Sequence, residues 1–335
     1  MSNVAQIIRD VFPGRKVVIV GDLVADQFLH GTIARVSREA PVFILRHNET
    51  ETFPGGAANA AANIAALGAH PILIGLIGSD ESGRLLSESL VRSGVNCDSV
   101  VTDAAFRTTT KVRVLAGQDY APRQQVIRID YENPAPVSEA ARLQLTENLR
   151  NAATDASAII VSDYNYGVAD ASISGAARSI SKERGIPLIV DSRFRLGEFG
   201  EATSATPNQE EVEMILGKGF ADRDCADLRR DLAFEALLVT CGNEGMLLLE
   251  AGREPHRIAA VGSREPVDVT GAGDTVIAAY ALALASGLSF IDAANVANHA
   301  GGIVVMKKGT AVASADELLA SITAADLELH LETVN

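Results

Sequence analysis

The stretch Asp268-Val-Thr-Gly-Ala-Gly-Asp274, running directly into the apolar, alanine-rich segment 275–286, sets the terms on which the rest of the chain is read. Glycines at 271 and 273 keep Cβ atoms out of the loop, so backbone N–H groups can converge. A helix that starts there aims its unpaired N–H groups and positive dipole end at an anion. The pattern predicts a phosphate site. Asp274 falls in the first turn of that helix, where a carboxylate repels a phosphate rather than binding it. As a proton acceptor it fits, because phosphoryl transfer to an alcohol needs a positioned hydroxyl, removal of its proton and stabilisation of the moving charge. Acidic residues in a first turn also serve as helix caps, so this segment alone leaves general base and cap side by side.

Outward from this loop, short β-rich runs recur: Lys16-Val-Val-Ile-Val20, Pro71-Ile-Leu-Ile-Gly75, Ala158-Ile-Ile-Val161, Pro187-Leu-Ile-Val190 and Ala236-Leu-Leu-Val-Thr240. Helical patterns separate them, at roughly 57–67, 82–92, 138–153, 170–184, 208–216 and 222–234. The alternation predicts an α/β protein with a parallel sheet covered by helices on both faces. No linker, low-complexity tract or internal repeat divides the 335 residues, so one continuous domain over 1–335 is expected.

Two stretches break the rhythm. Thr32-Ile-Ala-Arg-Val-Ser-Arg-Glu-Ala-Pro-Val-Phe-Ile-Leu45 lies within about 31–53. Two alternating strands, 110–115 and 125–131, joined through Gly117 and Pro122, lie within about 108–132. Both read as hairpin-like insertions. A small projecting sheet would form a lid that keeps water from a phosphoryl donor; protection of a sheet edge and a dimer contact are the competing readings.

Composition narrows the field. With 47% hydrophobic residues the chain can bury a large core. A net charge of −14 and the lack of a basic tract argue against nucleic-acid binding, and leave an anionic nucleotide dependent on magnesium and helix N-termini. Cys97, Cys225 and Cys241 are scattered and match no metal or disulfide spacing, as expected of a reduced cytoplasm. No apolar run reaches membrane-spanning length, and 1–15 lacks the apolar centre of an export signal.

A second glycine cluster, Pro54-Gly-Gly-Ala-Ala-Asn59, opens a helix of small residues. Gly55 and Gly56 allow close approach of a polar ligand and Asn59 can both donate and accept, which suits a sugar hydroxyl; tight helix packing without a ligand is the alternative. Gly21-Asp22-Leu-Val-Ala-Asp26 follows the first strand, and carboxyl ends of parallel strands are where ligands gather. Asp22 and Asp26 are thus candidate hydroxyl acceptors, or loop caps.

Taken in order, these pieces resemble the ribokinase-like (PfkB) family of carbohydrate kinases. Gly55-Gly56-x-x-Asn59 with Gly68 and Gly78 is similar to that family's N-terminal signature, and Asp268 to Asp274 to its C-terminal one. The resemblance implies a central, mostly parallel sheet flanked by helices with a small β lid. It implies ATP and Mg2+ as cofactors, with a monovalent cation such as K+ near the Asp268 loop. Asp274 becomes the catalytic base, and Gly271, Ala272 and Gly273 the anion hole. Thr206-Pro-Asn-Gln-Glu-Glu211 resembles the family's N-x-x-E element, in which Glu211 organises the metal through water and Asn208 approaches the phosphates. Thr240 and Gly242 would line the nucleotide channel, and Asn298 would lie near the adenine.

Within the family, Arg35 to Val42, Thr109 to Leu115, Gln125 to Asp130 and Ser162-Asp-Tyr164 look most like kinases that phosphorylate C1 of heptose 7-phosphate, alone or as the first domain of a kinase/adenylyltransferase. Tyr166 stands where that subgroup usually has lysine, and Asp191-Ser-Arg193 where it has Asp-Pro-Lys. The implied acceptor is therefore a sugar or sugar phosphate held by Asp22, Gly56, Asn59 and Asp163, with Lys111, Arg113, Arg128 and Arg193 as candidate partners of an acceptor phosphate. Another sugar, a nucleoside, or a catalytically silent relative are the alternatives. A cytoplasmic homodimer joined through the lid is expected, with no nucleotidyltransferase segment following the last kinase helix.

Overall fold

The apolar runs that read as buried strands lie side by side. The protein is described by a computed structural model covering residues 3–117, 123–133, 136–263 and 265–334, the side chains of 328–334 excepted. Its strands are β1 (Lys16–Gly21), β2 (Leu23–Val36), β3 (Phe43–Gly56), β4 (His70–Ile74), β5 (Leu76–Gly78), β6 (Val101–Asp103), β7 (Thr110–Gly117), β8 (Gln124–Tyr131), β9 (Ala158–Asp163), β10 (Leu188–Ser192), β11 (Ser204–Ala205), β12 (Ala236–Thr240), β13 (Met246–Glu250) and β14 (His256–Ile258). Its helices are α1 (Asn3–Asp10), α2 (Ala57–Ala66), α3 (Glu81–Arg92), α4 (Glu139–Ala152), α5 (Ala171–Arg184), α6 (Gln209–Leu216), α7 (Asp222–Asp231), α8 (Ala272–Ala285), α9 (Phe290–Val304) and α10 (Ala315–Val334).

Eight strands form the main sheet in the order β14-β13-β12-β11-β10-β9-β1-β4, parallel from β12 to β4 and antiparallel at the β12-β13-β14 end. β1 and β9 are buried along nearly their whole length because helices cover both faces, which is why they read as unbroken apolar runs rather than alternations. On one face α2, α8 and α9 pack together. Their small residues let backbones approach, and α8 is buried all round, with Tyr280 wholly enclosed and its hydroxyl 3.2 Å from Ser204 Oγ. The other face is covered by a second apolar cluster that includes Leu145, Leu149, Ile173 and Val212.

The two insertions form one sheet, not two separate hairpins. β2 pairs antiparallel with β3, β7 antiparallel with β8, and β2 runs parallel to β7, giving the order β3-β2-β7-β8. β2 begins at Leu23, well before the expected boundary near residue 31, because Gly21-Asp22 is already the exit from the main sheet. β3 likewise runs on through Gly55-Gly56 into α2. Pro122, expected in the turn between β7 and β8, lies outside the described residues.

Candidate active site

The carboxyl ends of β9, β10 and β12 converge with the N-terminus of α8 on one cleft of about 820 Å³. Asp163, Tyr164, Asp191, Arg193, Asn208, Glu211, Gly273 and Asp274 are among the residues on its walls. A narrower cavity of about 200 Å³ adjoins it, lined mainly by apolar and glycine residues, with Gly242 and Asn298 in its wall. Thr240, Val269 and Gly273 belong to both, so the start of α8 stands at the junction.

Asp274 sits in the first turn of α8 and is 3% exposed. Asn59 donates to its Oδ2 at 2.9 Å and Tyr164 donates its hydroxyl to Oδ1 at 2.8 Å. Burial pushes its carboxyl up to about 6 against the pull of those two donors and of Lys111, with the charge of Asp26 adding to the rise. Gly271 must be glycine here: its φ is +78°, and a Cβ would stand 2.5 Å from Asn59 Nδ2. At Gly273 a Cβ would meet nothing within 4 Å, leaving the backbone open toward the cleft. Of the residues expected to form an anion hole, 271–273, Ala272 gives its N–H to the Val269 carbonyl at 3.2 Å.

Three candidates for holding a sugar hydroxyl make hydrogen bonds inside the protein. Asn59, 1% exposed, gives Nδ2 to the Gly271 carbonyl (3.3 Å) as well as to Asp274, and its Oδ1 accepts from Asn63. Asp22, 1% exposed, accepts the backbone N–H groups of Tyr164, Tyr166 and Val168 at 2.9 to 3.0 Å, which pins the loop after β9. Burial nevertheless pushes its carboxyl up to about 6, with Asp163 adding to the rise. Asp163 takes the Ser192 hydroxyl (2.7 Å), the Asn165 N–H (3.1 Å) and the guanidinium of Arg195.

Asp26 pairs with Arg113 across β2 and β7, and a Cβ at Gly55 would come within 2.5 Å of its Oδ2. Gly56, at φ +59°, carries the backbone past the Asp22 carbonyl, 2.7 Å from where a Cβ would be. Asn208 caps α6 in a reciprocal pair with Glu211: Oδ1 accepts the Glu211 N–H, and Glu211 Oε2 accepts the Asn208 N–H. Burial raises Glu211. Burial, followed by the charges of Glu211, Asp274 and Asp163, holds Asp191 well above the carboxylate range. Asp268 closes its loop by accepting from the N–H groups of Thr270 (2.9 Å) and Gly309 (3.0 Å); these bonds outweigh burial and leave its carboxyl below the usual value. Asn298 donates to the Ala259 carbonyl at 2.7 Å.

Sequence reasoning left out Tyr164 and Asp191 as site residues. Both directly follow or end a parallel strand, β9 and β10, and that position was the signal available. Of the four basic candidates, Arg113 and Arg128 are taken by Asp26 and Asp130. Lys111 instead lies over the rings of Tyr164 and Tyr166, at 5.3 and 5.7 Å, and burial depresses its ammonium.

Among known proteins, the chain is 40% identical over 318 residues to the bifunctional protein HldE of Alcanivorax borkumensis, covering 92% of this chain and 63% of that one. It is 38% identical over 314 residues to the bifunctional protein HldE of Proteus mirabilis, covering 92% and 64%. The chain thus spans just under two thirds of the length of these relatives. Its fold is similar to Escherichia coli phosphofructokinase-2 in complex with potassium (TM-score 0.73, 21% identity, 92% and 98% of the two chains). It is also similar to Arabidopsis thaliana ribokinase complexed with ribose and ATP (TM-score 0.69, 22% identity, 92% and 98%). Residues 15–317 match the model of the pfkB family carbohydrate kinases. The chain belongs to that family, and is an ATP-dependent carbohydrate kinase.

Proposed function

We propose that this kinase phosphorylates C1 of heptose 7-phosphate to give the 1,7-bisphosphate, with Asp274 as the general base. The observation that carries the reading is the position of Asp274. It is a buried carboxylate on the cleft wall, beside an open glycine backbone at Gly273 and within the fields of Asp26 and Lys111. Asp274 takes the proton of the acceptor hydroxyl as its oxygen attacks the γ-phosphorus of ATP in line. The bond from that phosphorus to the β–γ bridging oxygen breaks, and ADP leaves. The free N–H groups at the α8 N-terminus and the helix dipole offset the charge on the moving phosphoryl group. Asn298 and Gly242 would receive the nucleoside and Thr240 the phosphates, a reading supported by their position in the wall of the apolar cavity beside the cleft.

The crowding of Asp163, Asp191, Glu211 and Asp274 is the arrangement a divalent cation neutralises. Glu211 and Asn208 would hold Mg2+ through water, and the ion would supply charge neutralisation of the nucleotide phosphates. Near the Asp268 loop, the buried hydroxyl of Thr310 has no hydrogen-bond partner among the described residues, and its methyl lies 3.1 Å from where a Cβ at Gly271 would be. An orphaned oxygen there fits a monovalent cation such as K+.

A phosphate on the acceptor is supported by Lys111 and Arg193, which make no ion pair among the described residues, whereas Arg113, Arg128 and Arg195 do. Heptose in particular is supported by the likeness of the lid strands and of Asp163-Tyr164 to heptose 7-phosphate kinases. A homodimer through the lid is supported by Ile127, Ile129 and Tyr131, three exposed apolar residues on one face of β8, and by Phe43 on β3. A cytoplasmic location fits the sugar-kinase reading; no described helix is long and apolar enough to cross a membrane.

The test is ADP release with Mg-ATP and a panel of sugars, sugar phosphates and nucleosides. Turnover on heptose 7-phosphate at least tenfold above every other acceptor supports the reading. Preference for a different sugar or a nucleoside overturns the substrate, and nucleotide binding without turnover on any acceptor overturns the enzyme assignment.

A further inference from the structure

Two side chains donate to Asp274 among the described residues, and they differ in what holds them. Asn59 belongs to α2, packed against α8, and its amide is fixed by Gly271 and Asn63, so it moves with the helix that carries the base. Tyr164 comes from the loop after β9, on the other side of the carboxylate. Its backbone N–H is tied to Asp22 at 2.9 Å, that of Tyr166 to the same carboxylate oxygen at 3.0 Å, and its ring lies against Gly56. Its phenol is pushed well above the usual value by burial and by the nearby charges of Asp274 and Asp191, so at neutral pH the group remains a donor.

We propose that Tyr164 is the positioning residue of the base. Its hydroxyl, donated to Asp274 Oδ1, fixes the plane of the carboxylate so that an open lone pair faces the acceptor hydroxyl, and its place is set in turn by the three backbone N–H groups held by Asp22. This proposal rests on the reading of Asp274 as base. It gives a function to the deeply buried Asp22, whose carboxylate accepts three backbone N–H groups, and to the Asp-Tyr pair at the end of β9. The bond favours the charged carboxylate over the neutral one, so its loss makes Asp274 harder to deprotonate. The other charged groups facing Asp274 are Asp26 from β2, Lys111 from β7 and Asp191 from β10, and none of them is altered by removing one phenolic oxygen.

The experiment compares the pH dependence of kcat/KM in the wild type and in Tyr164→Phe, using one acceptor so that ionisation of substrate and nucleotide cancels. The acid limb, with a midpoint near 6 in the wild type, is expected to move up by about one pH unit, with kcat/KM falling about tenfold at pH 5 and about twofold at pH 7 and KM for ATP within twofold. A role in packing alone would lower activity or Tm and leave the limb where it is, which overturns the proposal. Should Tyr164→Phe fail to fold, 3-fluorotyrosine placed at 164 keeps the shape and strengthens the donor. The limb then moves down, and an unmoved limb is again a refutation. Asp274→Asn separates the two readings: if it stays active the base assignment fails, whereas an inactive Asp274→Asn with an unshifted Tyr164→Phe defeats the positioning role only.

Discussion

Asp22 and Asp274 are both buried carboxylates, both are pushed by burial up to about 6, and they stand on opposite sides of the same loop. Their partners separate them. Asp22 accepts three backbone N–H groups and lines neither the cleft nor the narrower cavity; Asp274 accepts an amide and a hydroxyl from side chains and lines the cleft. A raised carboxylate therefore does not by itself mark a base. What marks one is a raised carboxylate whose remaining lone pairs reach the space a substrate enters.

The largest expected effect lies on the catalytic side of this comparison. Asp274→Asn should lower kcat by about a thousandfold or more while KM for ATP changes little, measured by ADP release. The same change at Asp22 should act mainly through the loop that carries Tyr164. A comparable loss of kcat at both positions, with neither variant unstable, would erase the distinction.

Stability sharpens the contrast. In Asp274→Asn the carbonyl can keep the bond from Asn59 while the new amide donates to the Tyr164 oxygen, so the two contacts persist, the second with its direction reversed and the phenolic proton turned elsewhere. In Asp22→Asn the new NH2 faces a backbone N–H whichever way it is turned, and a buried donor is left unsatisfied. At pH 4, Asp22→Asn is expected to cost about 2 kcal/mol, or roughly 3 °C in Tm, and Asp274→Asn less than about 1 kcal/mol. The pH dependence adds a sign. A carboxyl raised from 3.8 to about 6 on folding contributes stability below 3.8 that is lost as pH rises toward 6, since the unfolded chain releases the proton first. Asn at 274 carries no such loss. Its Tm relative to wild type should therefore climb between pH 4 and pH 7, by an amount equivalent to about 2 kcal/mol. A flat difference in scanning calorimetry would mean that the Asp274 carboxyl is not raised.

The same two residues show how far the sequence can be read. The β-rich runs and the glycine signature placed Asp274 at a helix start beside open backbone, because local periodicity and glycine content govern both. The expectation that Thr240, Gly242 and Asn298 belong to a nucleotide site came from family resemblance; the three lie in the wall of the narrower cavity. Asp22 was read as a hydroxyl acceptor from its place after the first strand, Asn59 from its place after paired glycines and Asp163 from family resemblance, and none of these says which partners their polar atoms take inside the fold. That is decided by long-range partners, such as Tyr164 for Asp22 across 142 positions and Gly271 for Asn59 across 212. A small second sheet was expected from the two insertions; the parallel β2-β7 pairing that joins them was not legible, since each hairpin is local but that pairing joins segments far apart in sequence.

The smallest expected effect tests whether the space beside Asp274 is a ligand's and the space beside Asp22 is the protein's own. Gly273 lies in the helical first turn of α8 with nothing within 4 Å of a Cβ, so alanine there fits the fold and gains helix propensity, changing stability by less than about 1 kcal/mol. If the open side receives the nucleotide phosphates, the added methyl group occupies their approach, and KM for ATP should rise about tenfold in Gly273→Ala with Tm held or raised. At Gly56, next to Asp22, alanine meets a left-handed φ and the Asp22 carbonyl at 2.7 Å, so Gly56→Ala should lower Tm and should not raise KM for ATP selectively. An unchanged KM in Gly273→Ala would move the phosphate site away from the start of α8, and with it the reason for placing the base there.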